Sequence, residues 1–159
     1  MVKIKMQKPF DLTVALYEPE IPSNVGTIAR TCACLDVNLS IIEPCGFVFE
    51  DRNFKRSKLD YETDIELIPS LDDFLQIYET NRIILFSPHS NLSLYDIIFK
   101  KNDILLFGRE SNGVEDFVAK KANLIISIPM SERSRSLNLA MTVAMGAYEA
   151  KRQFSRINH

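Results

Sequence analysis

Histidine is nearly absent from this chain of 159 residues: there are two, His89 and His159, and the second is the terminal residue. That scarcity disfavours Ser/His/Asp and Cys/His nucleophilic catalysis, because both need an imidazole beside the nucleophile. The three cysteines, Cys32, Cys34 and Cys45, form no C-x-x-C pair and have no histidine close by in sequence. Neither a disulfide framework nor a zinc site is favoured, so reduced thiols and no metal centre are expected. Glycine is sparse, with five residues, and neither a Walker A sequence nor a G-x-G-x-x-G fingerprint occurs. No apolar run approaches the length of a membrane span. The opening "MVKIKMQKPF" is basic but lacks the apolar core of a signal peptide, so the expected location is the cytoplasm. Net charge is small too: 19 basic against 21 acidic residues gives −2, and with it no global attraction to nucleic acid.

What is present reads as one ordinary globular domain. A 46% hydrophobic and 25% charged composition suits a folded core, and the length leaves no room for two cores of useful size. Six short runs rich in branched residues recur along the chain: "LTVALY", "LSIIEP", "IELIP", "RIILFS", "DILLFG" and "NLIISIPM". Continuous rather than alternating hydrophobicity predicts strands buried on both faces, as in a mostly parallel sheet covered by helices. Between them lie helical patterns. In "NVGTIARTCACLD" the residues Val25, Ile28, Ala29, Cys32 and Leu35 follow one helix face. In "SLDDFLQIYET" Ser70 is a cap and Leu71, Phe74, Leu75 and Tyr78 form the buried stripe. "VEDFVAKKA" predicts a shorter helix, and the last helix is expected from about Leu137 to Phe154. The fold class is therefore α/β.

Local charge departs from the global balance. From Ser131 to His159 there are five basic and two acidic residues, and "RNFKRSK" carries four basic residues with no acid. Arg52, Lys55, Arg56, Lys58, Arg133, Arg135 and Arg152 are candidates for phosphate contacts, although each taken singly reads as a solvated charge.

Three loops after predicted strands concentrate polar groups where open parallel sheets bind ligands. In "EPEIPSNVGTIAR" two prolines stiffen the chain, Ser23 or Asn24 is a candidate cap, and Arg30 lies about two turns into the helix. In "FGRESNGVE" Gly108 and Gly113 flank Glu110. In "IPMSERSRSLNLA" Ser131, Ser134 and Ser136 offer hydroxyls, Arg133 and Arg135 fixed charge, and Asn138 an amide in the first helical turn, with Ser136 a candidate N-cap. Read alone, each loop is also a plain strand-to-helix connection.

Together, "LYEPEIPSNVGTIARTCA", "LLFGRESNGV" and "IPMSERSRSLNLAMTVAMGAYEAKRQ" resemble, in order and spacing, the three motifs of the SPOUT (SpoU-type) RNA ribose 2′-O-methyltransferases. The likeness runs from about Leu12 to Gln153. Its nearest form is the small enzymes acting on the tRNA wobble nucleotide, cytidine or uridine 34. The resemblance implies a C-terminal trefoil knot, S-adenosylmethionine as cofactor, tRNA as substrate, and a homodimer whose subunits share each site. It implies functional roles for Arg30, Asn24, Glu110, Ser136 and Asn138, and cofactor contacts at Phe86, Gly108, Ile128 and Ser136. The small residues Ala140, Ala144, Gly146, Ala147 and Ala150 are then expected at the subunit interface. Residues 1–10 form a basic extension read as a solvated tail, and 11–159 the single methyltransferase domain. Methylation of ribosomal RNA or another tRNA position, and a non-catalytic RNA-binding dimer of the same fold, are the alternatives. A flavodoxin-like nucleotide module also fits the layer pattern but leaves the third loop unexplained.

Overall fold

The computed structural model describes residues 9–61 and 64–156, so most of the basic extension and His159 lie outside the described residues. Strand β1 (Leu12–Tyr17) leads to α1 (Pro22–Leu35), then β2 (Asn38–Ile42), α2 (Arg52–Lys58), β3 (Ile65–Ile68) and α3 (Leu71–Ile77). Then follow β4 (Ile83–Phe86), β5 (Asp103–Phe107), α4 (Asp116–Ala119), β6 (Leu124–Ile126) and α5 (Leu139–Arg156). All six strands are parallel, in the order β3-β2-β1-β5-β4-β6.

Each of the six predicted strands forms; β1, β2, β4 and β5 are buried on both faces, whereas the edge strands β3 and β6 are partly exposed. β1 alternates Leu12, Val14 and Leu16 into one core with Ala15 and Tyr17 into the other. The first core also holds Val25, Ile28, Ala29 and Cys32 of α1 with Val143, Ala147 and Ala150 of α5. The second is closed by Phe74 of α3 and Val118 of α4. Ser70 caps α3 by accepting the Asp73 amide at 3.1 Å. The basic heptapeptide becomes α2, capped by Asp51 and packed against α1.

Three local expectations change. Neither Ser23 nor Asn24 caps α1: the helix starts at Pro22, with Ile21 at the N-cap and no side-chain cap of its own. Proline is already shaped for the first helical position, and the start lies two or three residues earlier than either cap would place it. The last helix begins at Leu139, and Asn138 rather than Ser136 caps it, its Oδ1 accepting the Ala140 and Met141 amides at 2.9 and 3.4 Å. The small face of α5 packs inward. Ala140, Gly146, Ala147 and Ala150 are buried within the chain, and a Cβ on Gly146 would lie 2.6 Å from Cζ of Phe86. Small residues are needed there to admit an aromatic ring of the sheet.

Burial pushes the Cys32 thiol up to about 12 and the Cys45 thiol up to about 11, so both remain protonated at neutral pH. On α5, Arg152 holds Glu149 bidentately at 2.6 and 2.7 Å and brings its carboxyl from 4.5 down to about 2. This folded-state value is depressed. Its stabilisation is present above pH 4.5 and disappears as pH falls through about 2. Glu149→Gln is therefore expected to cost less than about 1 kcal/mol at pH 7. The deficit in melting temperature should shrink as pH falls from 6 towards 2, and a constant deficit across that range would contradict this assignment.

Candidate active site

The strand order reverses between β1 and β5, since β2 and β3 lie on one side and β4 and β6 on the other. At such a switch point the loops beyond the carboxyl ends diverge and open a crevice. The loop after β1 and the loop after β5 face each other there, joined by Glu110. Its carboxylate accepts the Glu20 amide at 2.9 Å, the Ile21 amide at 3.0 Å and the Asn24 side-chain amide at 3.5 Å. Glu110 thus supplies from another loop the cap that α1 lacks, at the positive end of that helix.

The link continues into the third loop. An ionised carboxylate only accepts, so the Asn24 Nδ2 must face Glu110 and its Oδ1 must face away. That oxygen accepts Asn138 Nδ2 at 3.0 Å, and Asn138 Oδ1 is left to cap α5. Glu110, Asn24 and Asn138 form one directional chain of hydrogen bonds across sequence separations of 86 and 114 residues. Three of the five residues expected to be functional are brought together. Arg30 and Ser136 are not members of this chain. Ser136 is exposed two residues before Asn138. Arg30 is exposed on α1, its guanidinium carbon 5.7 Å from the centroid of Tyr61.

Among the residues expected to hold a cofactor, Ile128 lines a cavity of about 330 Å³. Pro88 and His89, after β4, form one wall, and Ser127, Met130, Ser131, Ser134 and Arg135, after β6, form another. Gly108 sits where a Cβ would lie 2.6 Å from the Gly113 backbone, and Arg109 and Gly113 exchange backbone hydrogen bonds at 3.0 and 3.1 Å. Only glycine permits that closure of the loop. The Phe86 ring is committed to the core, stacked on Phe107 with centroids 4.6 Å apart.

Sequence reasoning passed over Arg109. Its side chain pairs with Glu18 and, at 2.8 Å, with Glu115, and its guanidinium lies 4.8 Å from the centroid of Tyr17. The pairing holds the Glu115 carboxyl below its ordinary value, while burial, then hydrogen bonding to Glu115, pushes the Tyr17 phenol up to about 12. This cluster ties the end of β1 to the end of β5 on the side opposite α1. Only the adjacency of the two strands reveals it. Among the described residues, no cluster of three or more His, Cys, Asp or Glu side chains is arranged to hold a metal. No helix among them is long and apolar enough to cross a membrane.

A parallel sheet whose β1 and β5 loops are joined by Glu110, with a cavity between the loops after β4 and β6, has the architecture of an α/β protein that holds a ligand beyond its strand ends. The model of the SpoU rRNA methylase family matches residues 11–148, and the chain belongs to that family. A relative from Beijerinckia indica subsp. indica, named tRNA (cytidine(34)-2′-O)-methyltransferase, is 43% identical over 144 residues, covering 88% of this chain and 90% of the relative. A solved structure concerned with the 2-OH methylation of C/U34 on tRNA superposes with a TM-score of 0.89 at 41% identity, covering 94% of this chain and 99% of the other. The SpoU methyltransferase AviRb of Streptomyces viridochromogenes, crystallised with the cofactor AdoMet, shares the fold with a TM-score of 0.84 at 24% identity, covering 96% of this chain and 60% of the other.

Proposed function

We propose that this protein is an S-adenosylmethionine-dependent ribose 2′-O-methyltransferase acting on nucleotide 34 of tRNA, a cytidine or uridine, in the cytoplasm. The observation that carries the reading is the Glu110–Asn24–Asn138 chain, which joins all three loops, the third of which also lines the cavity. The relatives at 43% and 41% identity, matched over nearly their full lengths, support the substrate.

S-adenosylmethionine, when bound, supplies a methyl group on a sulfonium sulfur. The residues present fit it. A cavity of about 330 Å³ lies within the usual range for small-molecule sites, roughly 300–1,000 Å³. Pro88 and Ile128 give it apolar walls, and Ser131 and Ser134 give it hydroxyls. Gly108 keeps the neighbouring loop narrow, and Ser136 adds a hydroxyl on the exposed approach. In this reading Arg30 binds the phosphate beside the target ribose and stabilises negative charge developing on the 2′-oxygen. A guanidinium keeps its proton, so Arg30 acts by charge and position.

A twofold dimer completes the site in this reading. Arg30 lies with Tyr61 near α2, whereas the cavity belongs to loops after β4 and β6, so sharing brings Arg30 of one subunit to the cavity of its partner. Support comes from Met141, Met145 and Tyr148, which are 61%, 46% and 65% exposed along one face of α5. Met145→Glu should yield a monomer by sedimentation velocity and lose methylation. A variant dimer with full activity would exclude this face. The trefoil knot belongs to the same proposal. Ser127, just beyond β6, donates its amide to Leu92 O and accepts the Leu94 amide, each at 2.8 Å, and α5 packs against β1 and β5, which supports a path of the C-terminal chain through the 87–102 connection. Residues 11–159 are taken as the single domain and 1–10 as a tail.

Incubation with labelled S-adenosylmethionine and total tRNA, followed by mapping of the methylated nucleotide, tests reaction and address together. Label confined to the ribose of nucleotide 34 is expected; label elsewhere rejects the address. RNA binding should also depend on salt. Arg52, Lys55 and Arg56 are exposed on α2, while Arg152 is already held by Glu149. Each phosphate contact adds about −0.7 to −0.9 to the slope of log K against log salt. Lys55→Gln with Arg56→Gln should therefore flatten the slope by about 1.5. An unchanged slope would remove α2 from the footprint.

A further inference from the structure

The segment from α2 to β3 does something that the reaction described so far leaves unused. After Lys58 the chain turns sharply at Leu59, with φ of 58° and ψ of −149°. This is close to a region reserved almost entirely for glycine, and a non-glycine residue stays there only when its surroundings force it. Two contacts follow from the turn. Lys58 Nζ reaches forward to the Tyr61 carbonyl at 2.8 Å, and the Tyr61 ring comes to lie 5.7 Å from the guanidinium carbon of Arg30. Arg30 is exposed on α1, and Tyr61 is 39% exposed. A long exposed arginine samples many rotamers, and ordering it costs entropy. An aromatic face within about 6 Å offers an electrostatic seat for the cation.

We infer that Tyr61 is a positioning residue for Arg30: the bend at Leu59 and the Lys58 tether hold its ring as a platform that fixes the guanidinium in the orientation needed for the RNA phosphate and ribose. This rests on the role of Arg30 given above. Tyr61 touches neither substrate nor cofactor in this scheme. It acts by pre-ordering Arg30, so its loss lowers the rate of the chemical step rather than cofactor binding. An aromatic ring of any kind satisfies the requirement, because the attraction comes from the ring face and not from the hydroxyl.

The test is single-turnover methylation of saturating tRNA by the full-length protein carrying Tyr61→Ala, Tyr61→Phe, Tyr61→Trp, Arg30→Ala, or Arg30→Ala with Tyr61→Ala. S-adenosylmethionine affinity by calorimetry and melting temperature serve as controls for folding. Tyr61→Ala is expected to slow the step roughly 3- to 30-fold, with cofactor affinity unchanged. Tyr61→Phe and Tyr61→Trp should keep the normal rate, and in the Arg30→Ala background Tyr61→Ala should have no further effect. Loss of rate that persists in Tyr61→Phe and Tyr61→Trp, or full additivity with Arg30→Ala, overturns the inference. A normal rate for Tyr61→Ala beside a slow Arg30→Ala also overturns it and leaves the function of Arg30 standing. A normal rate for Arg30→Ala itself rejects the role of Arg30 first, and the inference with it.

Discussion

Arg30→Ala is expected to lower the rate of ribose methylation by about 10²- to 10³-fold, the size of effect seen when a single preorganised charge or donor is removed from a reacting oxygen. Folding should be untouched, because Arg30 is exposed and contributes nothing to either core. S-adenosylmethionine affinity should also persist, since the cavity is lined by other loops. Arg30→Lys keeps the charge but loses the planar fork and its fit to the Tyr61 ring, and should fall between the two. Subunit sharing gives this prediction a second arm. When Arg30→Ala and Glu110→Ala chains are mixed, each strongly impaired alone, a heterodimer with Arg30 acting across the interface contains one intact site and recovers activity. If Arg30 serves the crevice of its own chain, every site in the mixture is defective and no activity returns.

Glu110→Ala should be the most damaging single change for folding and for activity together. It removes the acceptor of two backbone amides and of the Asn24 side chain, and it removes a negative charge from the positive end of α1. Hydrogen bonds to a charged group contribute about 1.5–3 kcal/mol, and partial exposure at Ile21 lets water replace part of this. A loss of about 2–3 kcal/mol is expected. For a domain of this size that lowers the melting temperature by about 4–12 °C. Activity should fall further than stability, because Asn24 loses the anchor that turns its Oδ1 towards the α5 cap residue Asn138. Glu110→Gln separates positioning from proton transfer. Its amide still offers one oxygen to the Glu20 or Ile21 amide, so a positioning role predicts intermediate stability and intermediate rate. Native stability combined with complete inactivity would instead make Glu110 a proton acceptor.

Much of the architecture could be read before any coordinates. The six strands follow from unbroken apolar runs such as "DILLF", because a strand covered on both faces has no polar positions to alternate with. The faces of α1 and α3 follow from three-and-four spacing, and the Ser70 cap from its place before Leu71. Helix starts can depend on partners far away in the sequence. The α1 cap resides on Glu110, 89 residues from Ile21, so nothing local to the helix announces it. The small face of α5 was legible as a place of close approach, but whether Phe86 or another subunit approaches depends on where the helix lies across the sheet.

The order of apolar runs and loops fixed which elements form, because local periodicity and burial on two faces depend only on neighbouring residues. The three motifs fixed the family, because their residue types recur in one order along the chain. Tertiary structure alone decided that Glu110, Asn24 and Asn138 form one chain of hydrogen bonds, that Arg109 clamps Glu18, and that Tyr61 sits beneath Arg30. Those contacts arise from the placement of β1 beside β5, from the return of α5 over the sheet and from a bend at Leu59. They are set by chain topology, which periodicity does not encode.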